Sequence, residues 1–459
     1  MGRIKVHLIR IWRVLYSSQT SALGSPGEGA GRRARVGIAS NLAGGVLMQG
    51  GTLLTSVVLA RILGKYDFGR FAMIQSTMVA LTALTGLGLG ITAIKYVSQY
   101  RKAQPERAGR IMGLSSAVAL AAAVCFSALL LVLAPSIGIR GLSTADFRFS
   151  VVYVFFTTLN GYQVGALAGM EGFPRIARIS ILYLPATVVF HWTLARWFGL
   201  RGAILAQGVS ALLLWLLYQA ALTLEGRSHG IVIRYRGAWQ ERGALVRFSL
   251  PAIVSGIGGS LAIWWCNTLL VRVSGYAVLG MFTAASTLRA LVVCLPALNA
   301  RVISPLLNNL LAEGDVAGYR RTFWGAIICN GGFALLLALG LSVAGPQLLR
   351  VFGRDFVGSP ALVTFLLAAG VTEVVATNLY QALFASRNFW WQVAVQAVWV
   401  GFLVSLSFAA IPRHGAVGLA SAYLAAWCVS AVLYGILARS RHQSGFAADA
   451  KVRIEDAAA

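Results

Sequence analysis

Two charged side chains stand where their neighbours are almost wholly apolar. Arg289 falls near the middle of the stretch 277–300, with Phe282, Ser286, Val293 and Pro296 along its helical face. Glu373 falls near the middle of 359–386, with Thr377, Tyr380 and Gln381 on approximately its own face. A charge at mid-bilayer costs about 2.5 to 3.5 kcal/mol even on lenient insertion scales, so such groups face a protein or water-filled interior. A guanidinium placed there grips an oxyanion such as pyrophosphate through two parallel, charge-assisted hydrogen bonds. The alternative is a structural pair with Glu373 or a backbone carbonyl. Glu373 is in turn a candidate for proton or sodium coupling, or else half of a fixed internal ion pair.

The elements that must position these groups are membrane helices. With 58% hydrophobic and 12% charged residues and a mean hydropathy of +0.74, the 459-residue chain has too few charges to cover a water-soluble globule. A spanning helix needs about 20 apolar residues. Twelve nearly uncharged stretches qualify: 36–61, 70–94, 111–136, 149–170, 176–198, 202–224, 246–271, 277–300, 322–346, 359–386, 389–411 and 415–438. The connections are short and leave no soluble domain. The expected division is a basic cytoplasmic segment 1–35, a six-helix lobe 36–225, a cytoplasmic linker 226–245, a second lobe 246–440 and a cytoplasmic tail 441–459.

Orientation follows from the basic residues, which stay on the cytoplasmic side in short loops. With both termini inside, 27 of the 39 Lys and Arg lie on the cytoplasmic side, 11 lie outside and Arg289 lies mid-membrane. The net charge of +25 is therefore mostly a topology signal plus attraction to anionic lipid, and no basic stretch has the aromatic-studded soluble character that nucleic-acid binding uses. Residues 1–35 hold seven Lys and Arg and no continuous apolar core, which excludes a cleavable signal peptide. Ile4, Val6, Leu8, Ile9, Ile11, Trp12 and Leu15, interleaved with Arg3, Lys5, Arg10 and Arg13, suit an amphipathic helix on an anionic membrane face; a disordered tail or a misplaced start fits equally. Five cysteines (Cys125, Cys266, Cys294, Cys329, Cys428) fall inside predicted helices without metal-ligand spacing and serve as small hydrophobes. No metal site and no bound cofactor are expected.

The chain is a bundle built twice. Arg61, Gly64, Gly69 and Phe71 return 211 residues on as Arg272, Gly275, Gly280 and Phe282. Asn160-Gly161-Tyr162-Gln163 returns as Asn378-Leu379-Tyr380-Gln381. Gly199, Gly202, Ala206 and Tyr218 return as Gly415, Gly418, Ala422 and Tyr434. Six spans per copy is an even number, so both copies enter the membrane from the same side. They should be related by a pseudo-two-fold axis along the membrane normal, as in transporters, with a central cavity between the lobes. On this register Arg289 faces Met78 and Glu373 faces Phe155. Scaffold requirements are shared by both copies, so charges found in one copy alone point to what the cavity binds. The small residues Gly44, Gly45, Gly50, Gly51 and Thr52 allow close helix packing.

Several segments resemble Wzx-type polysaccharide flippases of the multidrug/oligosaccharidyl-lipid/polysaccharide exporter superfamily. These are Asn41-Leu42 through Leu59-Ala60-Arg61-Ile62-Leu63-Gly64-Lys65-Tyr66-Asp67-Phe68-Gly69-Arg70-Phe71-Ala72, then Gly86-Leu87-Gly88 with Ala93-Ile94-Lys95-Tyr96-Val97-Ser98, and Arg247-Phe248-Ser249-Leu250-Pro251. The resemblance covers roughly residues 36–440. It implies translocation of an undecaprenyl-pyrophosphate-linked oligosaccharide to the outer leaflet of a bacterial cytoplasmic membrane, feeding O-antigen, capsule or exopolysaccharide assembly. The implied partners are the lipid-linked oligosaccharide, membrane lipids and the polymerase or ligase machinery that uses the product.

Under that resemblance Lys95, Arg247 and Arg301, at the inner ends of cavity-lining spans, are either topology anchors or first contacts for the pyrophosphate. Asn160, Gln163, Asn378 and Gln381 either bond sugar hydroxyls or join neighbouring helices. His191, placed near the outer interface within reach of water, is a proton-relay candidate. Arg61, Arg272 and Arg196 are expected to snorkel at outer helix ends.

Three other functions compete. A multidrug-extrusion antiporter for cations needs acids in the first lobe, yet between Glu28 and Glu106 the only acid is Asp67, in an outer loop. A lipid II flippase generally carries extra helices. A membrane glycosyltransferase, polymerase or ligase needs acid–base chemistry in an exposed loop, and the longest outer connection, 137–148, offers only Arg140, Asp146 and Arg148. No Gly-x-x-x-x-Gly-Lys-Ser/Thr loop is present for nucleotide hydrolysis.

Overall fold

In a computed structural model the described residues are 28–85, 89–136, 141–313, 315–356, 359–384 and 390–458. They form ten α-helices: α1 (Glu28–Thr85), α2 (Leu89–Tyr100), α3 (Pro105–Leu133), α4 (Thr144–Gly169), α5 (Phe173–Ser228), α6 (Arg242–Ser274), α7 (Tyr276–Glu313), α8 (Val316–Phe352), α9 (Pro360–Phe384) and α10 (Trp390–Ala458). Three are folded in two, α1 at Gly64, α5 at Gly199 and α10 at Gly415, and α2 carries on the second arm of α1. The helices thus make twelve passes, six before residues 229–241 and six after, with no strand among the described residues. Seven helical stretches among them are long and apolar enough to cross a membrane. Phe173–Ser228 and Trp391–Arg439, at 56 and 49 residues, have length for two crossings each.

The duplication is visible in the backbone itself. Gly64 has φ 70°, ψ 171° and its counterpart Gly275 has φ 83°, ψ 172°; Gly199 has φ 58°, ψ −134° and its counterpart Gly415 has φ 54°, ψ −127°. These regions are closed to residues with a Cβ, so glycine is what lets each pass reverse into the next without a loop.

Helix ends depart from the predicted edges. The fourth pass starts at Thr144 instead of 149 because Ser143 caps it: the Ser143 side chain accepts from the Asp146 amide while the Asp146 carboxylate accepts from the Ser143 amide. That cap removes Asp146 from the outer loop, and Asp146 is buried and paired with Arg70 and Arg201. The last helix continues to Ala458, through the expected tail, and the first begins at Glu28. Residues 1–27, Arg140 and Gly86-Leu87-Gly88 lie outside the described residues.

Among the described residues one hydrophobic cluster is drawn from both lobes and two smaller ones belong to one lobe each. Leu59, Phe68, Met78, Leu270, Phe282, Leu288 and Phe356 belong to one cluster drawn from both lobes, at the end where Gly64 and Gly275 turn the chain. Towards the opposite end two clusters take over. Ala93, Met112, Tyr162 and Tyr218 form one within the first lobe; Leu307, Phe323, Leu379 and Tyr434 form the other within the second. The described core common to both lobes thus lies at the turn end; towards the linker end, the predicted cytoplasmic side, α2 of the first lobe still approaches α6 of the second. Residues 229–241 are pinned to the first lobe. The Arg234 amide donates to Gly109 O, and Arg107 and Arg110 pair with the buried Glu241.

Candidate functional site

At the turn end, where the lobes are joined, the repeat-related glycines meet. A Cβ at Gly69 would lie 1.9 Å from Tyr276 O, and one at Gly280 would lie 2.2 Å from Lys65 O, so the α1 and α7 backbones touch there. Around this seam the Arg61 guanidinium donates to Val351 O (2.7 Å), and the rings of Tyr66 and Tyr276 meet edge to face. The Trp264 indole donates to Thr77 Oγ1 and the Asn267 amide to Ser76 Oγ, both at 3.0 Å. Each contact joins one lobe to the other.

Arg289 and Glu373 lie beside Leu288 and Val292 of the common core and one turn before Ala376 of the second-lobe cluster. The structure brings them together as an ion pair, Arg289 Nη1 donating to Glu373 Oε2, with neither group fully buried. The guanidinium also stands over the Tyr423 ring, 5.6 Å from its centroid. Space for it comes from Gly370, where a Cβ would fall 3.1 Å from Arg289 Cγ. The pair leaves Arg289 Nε buried without a hydrogen-bond acceptor. An oxyanion entering between the lobes would supply one. The first lobe has no such pair: Met78 is fully buried in the common core and Phe155 packs on the first-lobe cluster.

The other predicted residues do not gather at this pair. The duplicated amides join helices. Asn160 donates to Ala211 O (3.0 Å), and Gln163 donates to Gln219 Oε1 (2.9 Å). Asn299 donates to Asn330, and Asn330 donates to Asn378, in a chain that links α7, α8 and α9. Asn160 Oδ1 and Gln163 Oε1 are buried without partners. The side chain of Gln381 lies outside the described residues. Lys95 stands exposed on α2 with its ammonium 5.4 Å from the Tyr96 ring centroid. The side chains of Arg247 and Arg301 lie outside the described residues.

His191 departs from its expected position in reach of outer water. It is buried, with Nδ1 2.8 Å from Thr187 O, because α5 turns this face onto α1 and onto its own second arm. There it lines a cavity of about 170 Å³ with Thr52, Thr55, Ser56, Gln75, Tyr183, Thr187 and Gln207, closed on the second-lobe side by Thr283. This cavity and the Trp264–Thr77 and Asn267–Ser76 bonds are absent from the sequence-based candidates. A signal for the cavity exists: Thr52, Thr55 and Ser56, then Tyr183, Thr187 and His191, recur at helical spacing on one face of their helices.

Among known proteins, the family model described as polysaccharide biosynthesis protein matches residues 35–310. The lipid III flippase of Escherichia coli (strain K12) is 24% identical over 395 residues, which span 83% of this chain and 92% of that protein. The fold is similar to an inward-facing multidrug resistance MATE transporter of the MOP superfamily, with TM-score 0.73 and 16% identity over 89% of this chain and 98% of that one. It is also similar to a MOP superfamily transporter from Pyrococcus furiosus whose binding pocket is described as of reverse polarity, with TM-score 0.68 and 18% identity over 89% and 95%. The architecture is thus the MOP transporter fold of two six-helix lobes.

Proposed function

The chain belongs to the polysaccharide biosynthesis protein family, and on that premise we propose that it is a flippase carrying an undecaprenyl-pyrophosphate-linked oligosaccharide across a bacterial cytoplasmic membrane by alternating access. The headgroup enters between the lobes from the linker end, the lobes rock against each other, and the lipid tail stays in the bilayer beside them. The observation that carries the proposal is the Arg289–Glu373 pair, present in one lobe only and set between the common core and the second-lobe cluster.

Arg289 holds the pyrophosphate by exchanging its carboxylate partner for phosphate oxygens, with the unpaired Nε as a further donor. A proton or sodium ion on Glu373 breaks the same pair. Ion and phosphate therefore favour each other's binding, which is the reciprocal linkage that coupling requires. The hydroxyl- and amide-lined cavity of the first lobe, with no carboxylate in its wall among the described residues, speaks against a cation antiporter.

The test is complementation of a flippase-null strain. Arg289→Ala should abolish it with normal membrane levels of the protein, and wild-type activity in that variant would remove Arg289 from the mechanism. Transport that persists after collapse of both proton and sodium gradients would remove Glu373 from coupling.

A further inference from the structure

The first-lobe cavity has the chemistry of a small neutral polyol site, and this deepening rests on the flippase proposal above. Its wall carries hydroxyl, amide and imidazole groups, each able to donate and accept, and no charged side chain among the described residues. An ionic ligand would find no counter-charge there, whereas a sugar ring presents hydroxyls of matching character. Phe68, Phe71 and Tyr183 add flat apolar surface.

Two details point to a ligand rather than to packing. Thr52 turns its hydroxyl onto Met48 O at 3.0 Å, the usual satisfaction of a helical threonine, but Thr55 Oγ1 is buried without a partner. His191 donates from Nδ1 to Thr187 O, which leaves Nε2 as an acceptor on a residue of the cavity wall.

At about 170 Å³ the space is smaller than a typical drug-sized pocket and suits one sugar ring. Thr283 in its wall lies six residues before Arg289 on α7, roughly 9 Å of helix rise towards the joined end. A headgroup that enters from the linker end and is held by its phosphates at Arg289 thus carries its sugars ahead, towards this cavity. We infer that the cavity is a saccharide subsite, in which Thr55, Gln75, Gln207 and His191 bond the hydroxyls of a headgroup sugar while Arg289 in the other lobe holds the phosphates.

The experiment measures binding to the full chain in lipid nanodiscs with two probes, undecaprenyl pyrophosphate and undecaprenyl-pyrophosphate-linked oligosaccharide extracted from the source cells. The wild type should bind the sugar-bearing lipid about tenfold more tightly, the worth of two to three hydrogen bonds. The double variant Gln75→Leu/Gln207→Leu, and separately Thr55→Val, should reduce that ratio towards one while leaving the Kd for the bare lipid unchanged, which also reports correct folding. Equal binding of both lipids by the wild type, or a ratio that survives in both variants, overturns the subsite and leaves the flippase proposal standing. Failure of the wild type to bind either lipid overturns both.

Discussion

Replacing Gly69 with alanine should force the lobes apart at the joined end. The added Cβ would lie 1.9 Å from Tyr276 O and 3.0 Å from Gly280 N, so the backbones must withdraw by about 1.5 Å to reach ordinary 3.4 Å contact. Overpacking of a tight contact typically costs about 1–3 kcal/mol. Any state in which the lobes have parted at this end escapes that cost. The equilibrium should therefore move away from the joined state by roughly 5- to 150-fold. The Trp264–Thr77 and Asn267–Ser76 hydrogen bonds, at 3.0 Å, would be lost with it. Spin labels at Lys65→Cys and Val273→Cys, both exposed beside the seam, read the change as a distance distribution in nanodiscs. Gly69→Ala should lengthen the main distance, and Gly280→Ala should do the same. Gly340→Ala, where a Cβ meets nothing within 4 Å, should not. A Gly69→Ala protein with the wild-type distribution and melting temperature would refute the claim that this glycine exists to let the lobes touch.

Three further outcomes follow from the geometry. Gly199→Ala and Gly415→Ala place a Cβ in a backbone region that only glycine favours and should each lower stability by about 1–3 kcal/mol; detergent melting curves within error of wild type would contradict the repeat-turn account. Asn330→Leu takes the acceptor from the Asn299 amide and the donor from Asn378 Oδ1 and should cost about 1–3 kcal/mol, more than Asn299→Leu, which breaks one link; equal effects would show that the chain is not coupled. The Arg101 guanidinium bonded to Glu171 holds that carboxyl below its ordinary value of 4.5. The stabilisation is thus complete above about pH 4.5 and lost as pH falls through the lower folded value, so Glu171→Gln should flatten the acid limb of the melting-temperature profile, and an unchanged limb would refute it.

The architecture was legible because lipid restricts the options. Backbone groups in a bilayer must be satisfied within a helix, so twelve apolar stretches and the basic loops between them lead directly to twelve passes. The repeats Arg61/Gly64/Gly69/Phe71 and Gly199/Gly202 were visible because Gly64 and Gly199 carry backbone conformations that glycine favours, while a Cβ at Gly69 or Gly202 would strike a neighbouring carbonyl. Helix ends were less legible: the start at Thr144 depends on a local cap formed by Ser143 and Asp146, which hydropathy does not register.

Composition, hydropathy and the internal repeat were enough to establish a duplicated helical membrane protein, and their register singled out Arg289 and Glu373 by mismatch with Met78 and Phe155. Which side chains meet was decided only by packing. Arg289 bonds Glu373 because Gly370 lets α7 and α9 approach. The duplicated amides turn to other helices, His191 is enclosed with threonines and glutamines from α1 and α5, and Gly69 meets Gly280 across the lobes. One-dimensional periodicity gives the face a residue occupies on its own helix. The partner of that face depends on crossing angles and close approaches summed over the whole bundle, and these exist only once the chain has folded.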